Sequence, residues 1–226
     1  MDRLYRTHLL FGDAAIEKLK RATVMVVGCG AVGSFAIEAL ARTGVGRLVV
    51  VDFDVIEESN INRQLFALGS TVGMPKVEVA RRRILDINPE IRVDAFRVFW
   101  DEKTDVDIVP DFIVDAIDSV ESKVALYKWA YKNNVSLVSS MGAASKTDPA
   151  QIKIAPISKT MVCPLAARVR RLVRGMDLPD FMTVFSTEMP KPVVGHAKNL
   201  GSVITITGAF GLVMANYVIG KIIQNK

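Results

Sequence analysis

The stretch "TVMVVGCGAVGSFAIEALARTGVGRLVVVDFD", Thr23 to Asp54, decides the fold. It opens with a β-branched run, turns through glycines, continues as a helix from about Val32 to Arg42 and stops at Gly44 and Gly46 before a second apolar strand. Strand, helix and strand in that order make a βαβ unit. The turn itself, Gly28-Cys29-Gly30-Ala31-Val32-Gly33, has the form G-x-G-x-x-G, which lets backbone N–H groups and a helix N-terminus hold phosphate. Asp52 ends the second strand, where a carboxylate meets ribose hydroxyls; a strand-end cap is the plainer reading of the same residue.

The next residues set this unit apart from a nicotinamide site. "VIEESNINRQLF", Val55 to Phe66, places Asn60, Asn62, Arg63 and Gln64 just past the ribose acid, and Lys76 follows at the start of the next helix. Arg63 and Lys76 are fixed cations on the side where a chain of phosphates would lie. A reaction that breaks the α–β bond of ATP needs such clamps, whereas hydride transfer does not.

The alternation of strand and helix continues outward in both directions. "LLFGDAAIEKLKRA" reads as an amphipathic first helix with Asp13 as N-cap and Ile16 and Leu19 on its apolar face, preceded by an extended arm carrying Arg3 and Arg6. "MPKVEVARRRILDINPE" starts a helix at Pro75 and ends it before Pro89, and "IRVDAFRVFW" alternates as a third strand. "DFIVDAIDS" is a buried strand that breaks at Asp115 and Asp118; "ESKVALYKWAYKNN" is a helix stopped by Asn133 and Asn134; "VSLVSSMGA" is a fifth strand. The pattern predicts an α/β fold, Rossmann-like, with a mostly parallel sheet, helices on both faces and ligands outside the carboxyl ends of the strands, where Gly28, Asp52 and Asp118 fall.

Past Gly142 the pattern changes. "TDPAQIKIAPISKT" reads as short strand and turn, "PLAARVRRLVRGM" as a basic helix and "DFMTVFSTEMPKPVVG" as a strand and proline-rich loop, a C-terminal strand/helix addition on the substrate side. The expected organisation is one domain over residues 1–226, with a nucleotide-binding core at about 20–142 and the addition at about 143–226.

Composition limits the function. A formal charge of +5 and a pI of 9.2 suit a protein that meets a polyanion, although many ordinary enzymes are equally basic. Cys29 and Cys163 are the two cysteines; they form no Cys-x-x-Cys pair and cannot build a four-thiolate zinc site, so no zinc is expected. "MDRLYRTHLLFGDAAIEKLKR" lacks the hydrophobic centre of a signal peptide, so a cytoplasmic location is expected. "NLGSVITITGAFGLVMANYVIG", Asn199 to Gly220, is uncharged for long enough to span a bilayer, but Gly201, Thr205, Thr207, Gly208, Gly211 and Asn216 dilute it. A buried strand or turn running into a core helix is the competing reading, and membrane association through this segment stays open.

Asp118, where the fourth strand opens into a loop, is a candidate Mg2+ ligand through its carboxylate together with phosphate oxygens; an N-cap for the helix near Val120 is the alternative. At this point four blocks, "GCGAVGS", "VDFDVIEESNINRQ", "VGMPKVEVA" and "DAIDSVESK", resemble in order the ThiF/MoeB/ubiquitin-activating-enzyme adenylation superfamily. The resemblance implies that Gly28, Gly30, Gly33, Asp52, Asn60, Arg63, Gln64, Lys76 and Asp118 bind ATP and that Asp118 holds Mg2+. It also implies that Arg6 reaches into the site of a second copy in a homodimer, and that Arg63, Lys76, Asp118 and Arg6 serve the chemistry.

Within that superfamily, "TDPAQIKIAPISKT", "PLAARVRRLVR" and "VFSTE" are similar to the tRNA threonylcarbamoyladenosine dehydratases. That family activates the carboxylate of threonylcarbamoyladenosine with ATP and closes it to a cyclic form with net loss of water. The implied partners are tRNA carrying this nucleoside and, as a candidate, a cysteine-desulfurase or sulfur-acceptor protein; a monovalent cation is a candidate ligand. The alternative is an adenylyltransferase for the C-terminus of a ubiquitin-like sulfur carrier, against which the missing Cys-x-x-Cys pairs argue.

The remaining polar residues carry weaker signals. Arg168, Arg170, Arg171 and Arg174 are candidates for contact with the tRNA backbone, a solvated helix face being the equal alternative, and Arg81, Arg82 and Arg83 read the same way. Cys29, between two glycines, reads as a packing group; Cys163, before Pro164, is a candidate nucleophile with no base nearby in sequence. Glu188 and His196 are candidates for orienting substrate or accepting a proton.

Overall fold

The computed structural model describes residues 2–192 and 200–224. Its centre is a seven-stranded sheet in the order β3-β2-β1-β4-β5-β7-β6. The strands are β1 (Thr23–Val27), β2 (Arg47–Val51), β3 (Arg92–Phe96), β4 (Phe112–Asp115), β5 (Ser136–Ser140), β6 (Ile152–Pro156) and β7 (Met182–Ser186). All neighbours pair in parallel except β6, which lies antiparallel to β7 at the edge.

Alternate residues of the Val-rich strands feed two cores. Val24, Val26, Leu48 and Val50 face a layer built from α2 (Asp13–Arg21), α3 (Gly33–Thr43), α4 (Lys76–Ile87) and α7 (Ile204–Gln224). Met25, Val27, Val49 and Val51 face α5 (Val120–Lys132) and α6 (Pro164–Val173) on the other side. Helices therefore cover both faces, which is why β1 and β2 run as unbroken apolar stretches after Thr23 and Arg47.

The chain start departs from the expected single helix. Gly12, at φ 77°, separates α1 (Tyr5–Phe11) from α2, so Gly12 and not Asp13 occupies the N-cap, and Asp13 sits in the first turn. Arg6 is consequently on a helix rather than in an extended arm, and the guanidinium of Arg3 donates to the Ile87 carbonyl at 2.6 Å. Ile16 and Leu19 are buried, as their spacing predicts.

Residues 200–220 of the uncharged segment run into α7, a helix of 21 residues long and apolar enough by composition to cross a membrane, and Asn199 lies outside the described residues. Ile206, Phe210, Met214 and Val218, four apart in sequence, are fully buried against the sheet and α3. The approach is so close that a Cβ on Gly211 would lie 2.3 Å from the Val32 carbonyl oxygen, which explains the small residues of this helix.

Candidate active site

In the register of the sheet, Val27 pairs with Val51 on one side and Asp115 on the other, so Gly28, Asp52 and Ala116 leave the sheet together. The chain order reverses between β1 and β4, and ligands of open α/β sheets bind where that reversal opens a crevice. A cavity of about 740 Å³ lies there, a volume in the range of small-molecule sites.

Its floor is the glycine turn. Gly28 has φ 97°, and a Cβ on it would come within 2.6 Å of the Ala116 carbonyl oxygen. A Cβ on Gly33 would overlap the Gly28 carbonyl oxygen at 1.7 Å, so this glycine lets α3 press against the turn and does not itself line the cavity. Gly30 is different: a Cβ there would find only the Gln64 amide, at 3.8 Å. The missing side chain at Gly30 leaves space for a ligand above the N-terminus of α3 rather than relieving a clash.

Asp52 is buried, and its two oxygens accept the Cys29 N–H at 2.6 Å and the Asp54 N–H at 2.9 Å. Burial pushes its carboxyl above the ordinary aspartate value, against the opposing pull of the Asp54 N–H, the Lys76 charge and the Cys29 N–H. The loop after β2 is pinned by backbone bonds from Ile56 N–H to the Met74 carbonyl and from Gly73 N–H to the Ile56 carbonyl, so Lys76 starts α4 beside Asp54. The Lys76 ammonium, itself buried, donates to Asp54 at 2.8 Å.

Arg63 follows a 3-10 turn at Glu58–Asn60, donating to the Ser59 carbonyl at 2.7 Å and to Asn62 Oδ1 at 2.8 Å. Asn60 does not line the cavity: its side-chain Oδ1 accepts the Glu57 N–H at 3.2 Å in a capping box, so it builds the turn that carries Arg63. Gln64 and Asp118 line the cavity, Asp118 with its side chain exposed. Ser119, not Asp118, caps α5 by accepting the Ser122 N–H at 3.3 Å, which leaves the Asp118 carboxylate available.

Three groupings in or near the site were not picked out as functional in the sequence. Phe53 and Phe99, edge to face at 5.0 Å between centroids, join Trp100 in an apolar wall of the cavity suited to a flat ring. Beneath the floor, fully buried Lys123 donates to Asp115 at 2.8 Å and to Ser139 at 3.2 Å, while the other Asp115 oxygen accepts the Ile117 N–H at 3.1 Å and so fixes the loop that carries Asp118. A carboxylate inside the apolar run "FIVDAI" is the signal that could have revealed this pair, because a buried charge needs a partner. Burial also pushes the Lys146 ammonium below the ordinary lysine value, where it donates to the Glu188 carbonyl.

Several expected residues lie elsewhere or do other work. Arg6 is exposed on α1 and does not line the cavity. Of the four arginines of the basic helix, only Arg168, itself exposed, lines the cavity; Arg170 turns back to the Thr160 carbonyl at 3.0 Å, and Arg171 and Arg174 are exposed away from it. Arg83 forks onto Glu38, with both contacts at 2.9 Å, whereas Arg81 and Arg82 are exposed. Glu188 is no free base: its carboxylate accepts the Asp148 and Thr147 N–H groups, each at 2.9 Å, and these bonds hold it below the ordinary glutamate value. Cys163 is buried at the start of α6, its sulfur accepting the Gly142 N–H at 3.3 Å and the Ala166 N–H at 3.5 Å, an anchor and not an open nucleophile. Cys29 is buried and its thiol is pushed well up by that burial. His196 lies outside the described residues. Among the described residues no group of three or more His, Cys, Asp or Glu side chains is placed to hold a metal ion by itself.

The ThiF family profile matches residues 2–226. The tRNA threonylcarbamoyladenosine dehydratase of Bacillus subtilis is 47% identical over 82% of this chain and 74% of its own length. That of Haemophilus influenzae is 35% identical over 96% of this chain and 92% of its own. The crystal structure of the Escherichia coli tRNA N6-threonylcarbamoyladenosine dehydratase in complex with ATP superposes with a TM-score of 0.91 at 35% identity, covering 97% of this chain and 93% of that one.

Proposed function

Because the chain belongs to the ThiF family, we infer that it is an ATP-dependent enzyme that dehydrates threonylcarbamoyladenosine in tRNA, by adenylylating the substrate carboxylate and closing it to a cyclic product. The observation that carries this reading is that Gly30, Asp52, Arg63, Lys76 and Asp118 meet in one cavity at the carboxyl ends of the strands. Each matches one need of ATP: an open backbone turn for phosphate, a buried carboxylate for ribose, cations for the departing pyrophosphate.

The first step joins a carboxylate oxygen to the α-phosphorus and releases pyrophosphate. The second breaks the acyl–phosphate bond when an atom of the substrate's own threonylcarbamoyl group attacks the carbonyl, releasing AMP and a proton. No enzyme nucleophile is consumed, which agrees with both cysteines being buried. Arg63 and Lys76 stabilise the charge that develops as pyrophosphate leaves, and removal of one such preorganised donor costs about 10²–10³ in kcat. Asp118 fits a Mg2+ ligand, because this ion binds through one or two carboxylates plus substrate phosphates rather than in an all-protein cage; it would supply neutralisation of phosphate charge.

Arg6, exposed beside Leu9 and Leu10 on α1, is assigned to the cavity of a second copy in a homodimer. The buried stripe of α7 supports its place in the core instead of a bilayer, and we assign the protein to the cytoplasm.

The test is mass spectrometry of the modified adenosine after incubation of protein, ATP, Mg2+ and tRNA bearing threonylcarbamoyladenosine. Loss of one water from the nucleoside, abolished in Arg63→Ala, is the expected result. An unchanged nucleoside, with pyrophosphate exchange only when a carrier protein ending in Gly-Gly is added, would replace this reading with sulfur-carrier activation.

A further inference from the structure

The reacting carboxylate must be held against the α-phosphate, and most of the charged groups of the cavity already have partners. Lys76 is paired with Asp54 at 2.8 Å, and Arg63 donates to Ser59 and Asn62. Among the described residues, Arg168 is the one cation lining the cavity that makes neither a hydrogen bond nor an ion pair within the chain. An unpaired guanidinium in a cavity wall offers two parallel N–H donors matched to a carboxylate.

Its position in the sheet order agrees with that use. Asp52, Phe53 and Phe99 lie at the β2–β3 end of the cavity and Gly28 and Asp118 follow β1 and β4, whereas Gly142 follows β5 beside Pro164 and Leu165 of α6. Three strand spacings separate β2 from β5, roughly 14 Å, so a nucleoside at one end leaves the other end to the second substrate. The backbone of Arg168 is placed at that far end because Cys163 ties α6 to the exit of β5 through the Gly142 N–H, and its side chain is exposed there. Arg170, two positions on, is engaged with Thr160 and faces away from the site.

We propose that Arg168 binds the carboxylate of the threonylcarbamoyl group and thereby selects modified over unmodified adenosine, an assignment that rests on the dehydratase reading above. The guanidinium presents the carboxylate while Arg63 and Lys76 hold the leaving phosphates, so binding and leaving-group charge are served by different cations.

Equilibrium binding separates this role from a contact with the tRNA backbone. Two tRNAs differing only in the threonylcarbamoyl group are titrated with wild type, Arg168→Ala and Arg168→Lys, in the presence of Mg2+ and a non-hydrolysable ATP analogue. The expected result is a preference of wild type for the modified tRNA that Arg168→Ala removes. Modified tRNA binds about 10- to 100-fold more weakly to this variant, while unmodified tRNA and the ATP analogue keep their affinities, and Arg168→Lys restores part of the loss. In turnover the same variant raises KM for modified tRNA. Equal weakening of both tRNAs would assign Arg168 to the phosphate backbone, and loss of affinity for the analogue would assign it to the nucleotide; either overturns the proposal, as does an unchanged preference. Failure of the dehydratase reading is recognised separately, because wild type would then neither prefer the modified tRNA nor remove water from its nucleoside.

Discussion

Two alanine substitutions in one turn separate what the glycines do for the fold from what they do for the ligand. In Gly30→Ala the new Cβ meets only the Gln64 amide at 3.8 Å, and the backbone there is not in a left-handed conformation, so the folded state accommodates it. Reduced freedom of the unfolded chain then makes the variant equal to wild type or about 0.4–1 kcal/mol more stable. In Gly33→Ala the Cβ would overlap the Gly28 carbonyl oxygen at 1.7 Å and crowd the Ala116 Cβ at 3.2 Å, so α3 must move away from the turn. Overpacking of this kind costs about 1–3 kcal/mol, and at roughly 2–4 °C per kcal/mol for a chain of this size the melting temperature falls by several degrees. Ligand binding responds differently. The methyl group of Gly30→Ala enters the space above the helix N-terminus, and losing one charge-assisted hydrogen bond to phosphate weakens ATP about tenfold or more. Melting curves with and without ATP read both effects. At a concentration 100 times its dissociation constant ATP stabilises wild type by about 2.7 kcal/mol, and a tenfold weaker variant under the same conditions gains only about 1.4 kcal/mol. A Gly30→Ala protein as destabilised as Gly33→Ala, or one whose ATP-induced shift equals that of wild type, would refute the assignment of Gly30 to ligand space.

Two further outcomes follow from the polar groups around the site. Lys123→Met leaves the Asp115 carboxylate buried without its cation and lowers stability by about 3–5 kcal/mol in urea unfolding, whereas Lys123→Met combined with Asp115→Leu recovers most of it but not the activity, since nothing then accepts the Ile117 N–H; a single-variant loss under about 1 kcal/mol would contradict the pairing. Glu188 is held below the ordinary glutamate value chiefly by the Asp148 and Thr147 N–H groups, so its contribution is present above pH about 4.3 and disappears as pH falls through the depressed value; urea midpoints measured from pH 7 to pH 3 should fall less steeply in Glu188→Gln, and parallel curves would show that the carboxylate is not linked to folding.

The βαβ start, the parallel sheet and the glycine turn were legible in the amino-acid sequence, because these follow from local rules. Val-rich runs must be buried on both sides, and G-x-G-x-x-G between strand and helix has few other structural uses. That Asp52, Arg63, Lys76 and Asp118 share one cavity was legible for the same reason, since each falls at or just beyond a predicted strand end or helix start. Asn60 fell in the right segment, but its amide closes a turn, a distinction that depends on which way a side chain points. The helix break at Gly12 and the cap at Ser119 were missed because neighbouring residues of equal propensity competed for each boundary.

How distant segments share the site emerges from the packing of the whole chain. Four equivalent arginines in "ARVRRLVR" become one exposed cavity residue, one internal donor and two cations exposed away from the cavity once α6 is anchored through Cys163. The aromatic wall of Phe53 and Phe99, and the Lys123–Asp115 pair under the loop of Asp118, join residues from different strands and helices. The uncharged segment before the C-terminus became a core helix only when α3 offered a surface that Gly208 and Gly211 could approach. Periodicity along one chain records what an element buries, but not which partner it is buried against, and that partner depends on the packing of the whole sheet.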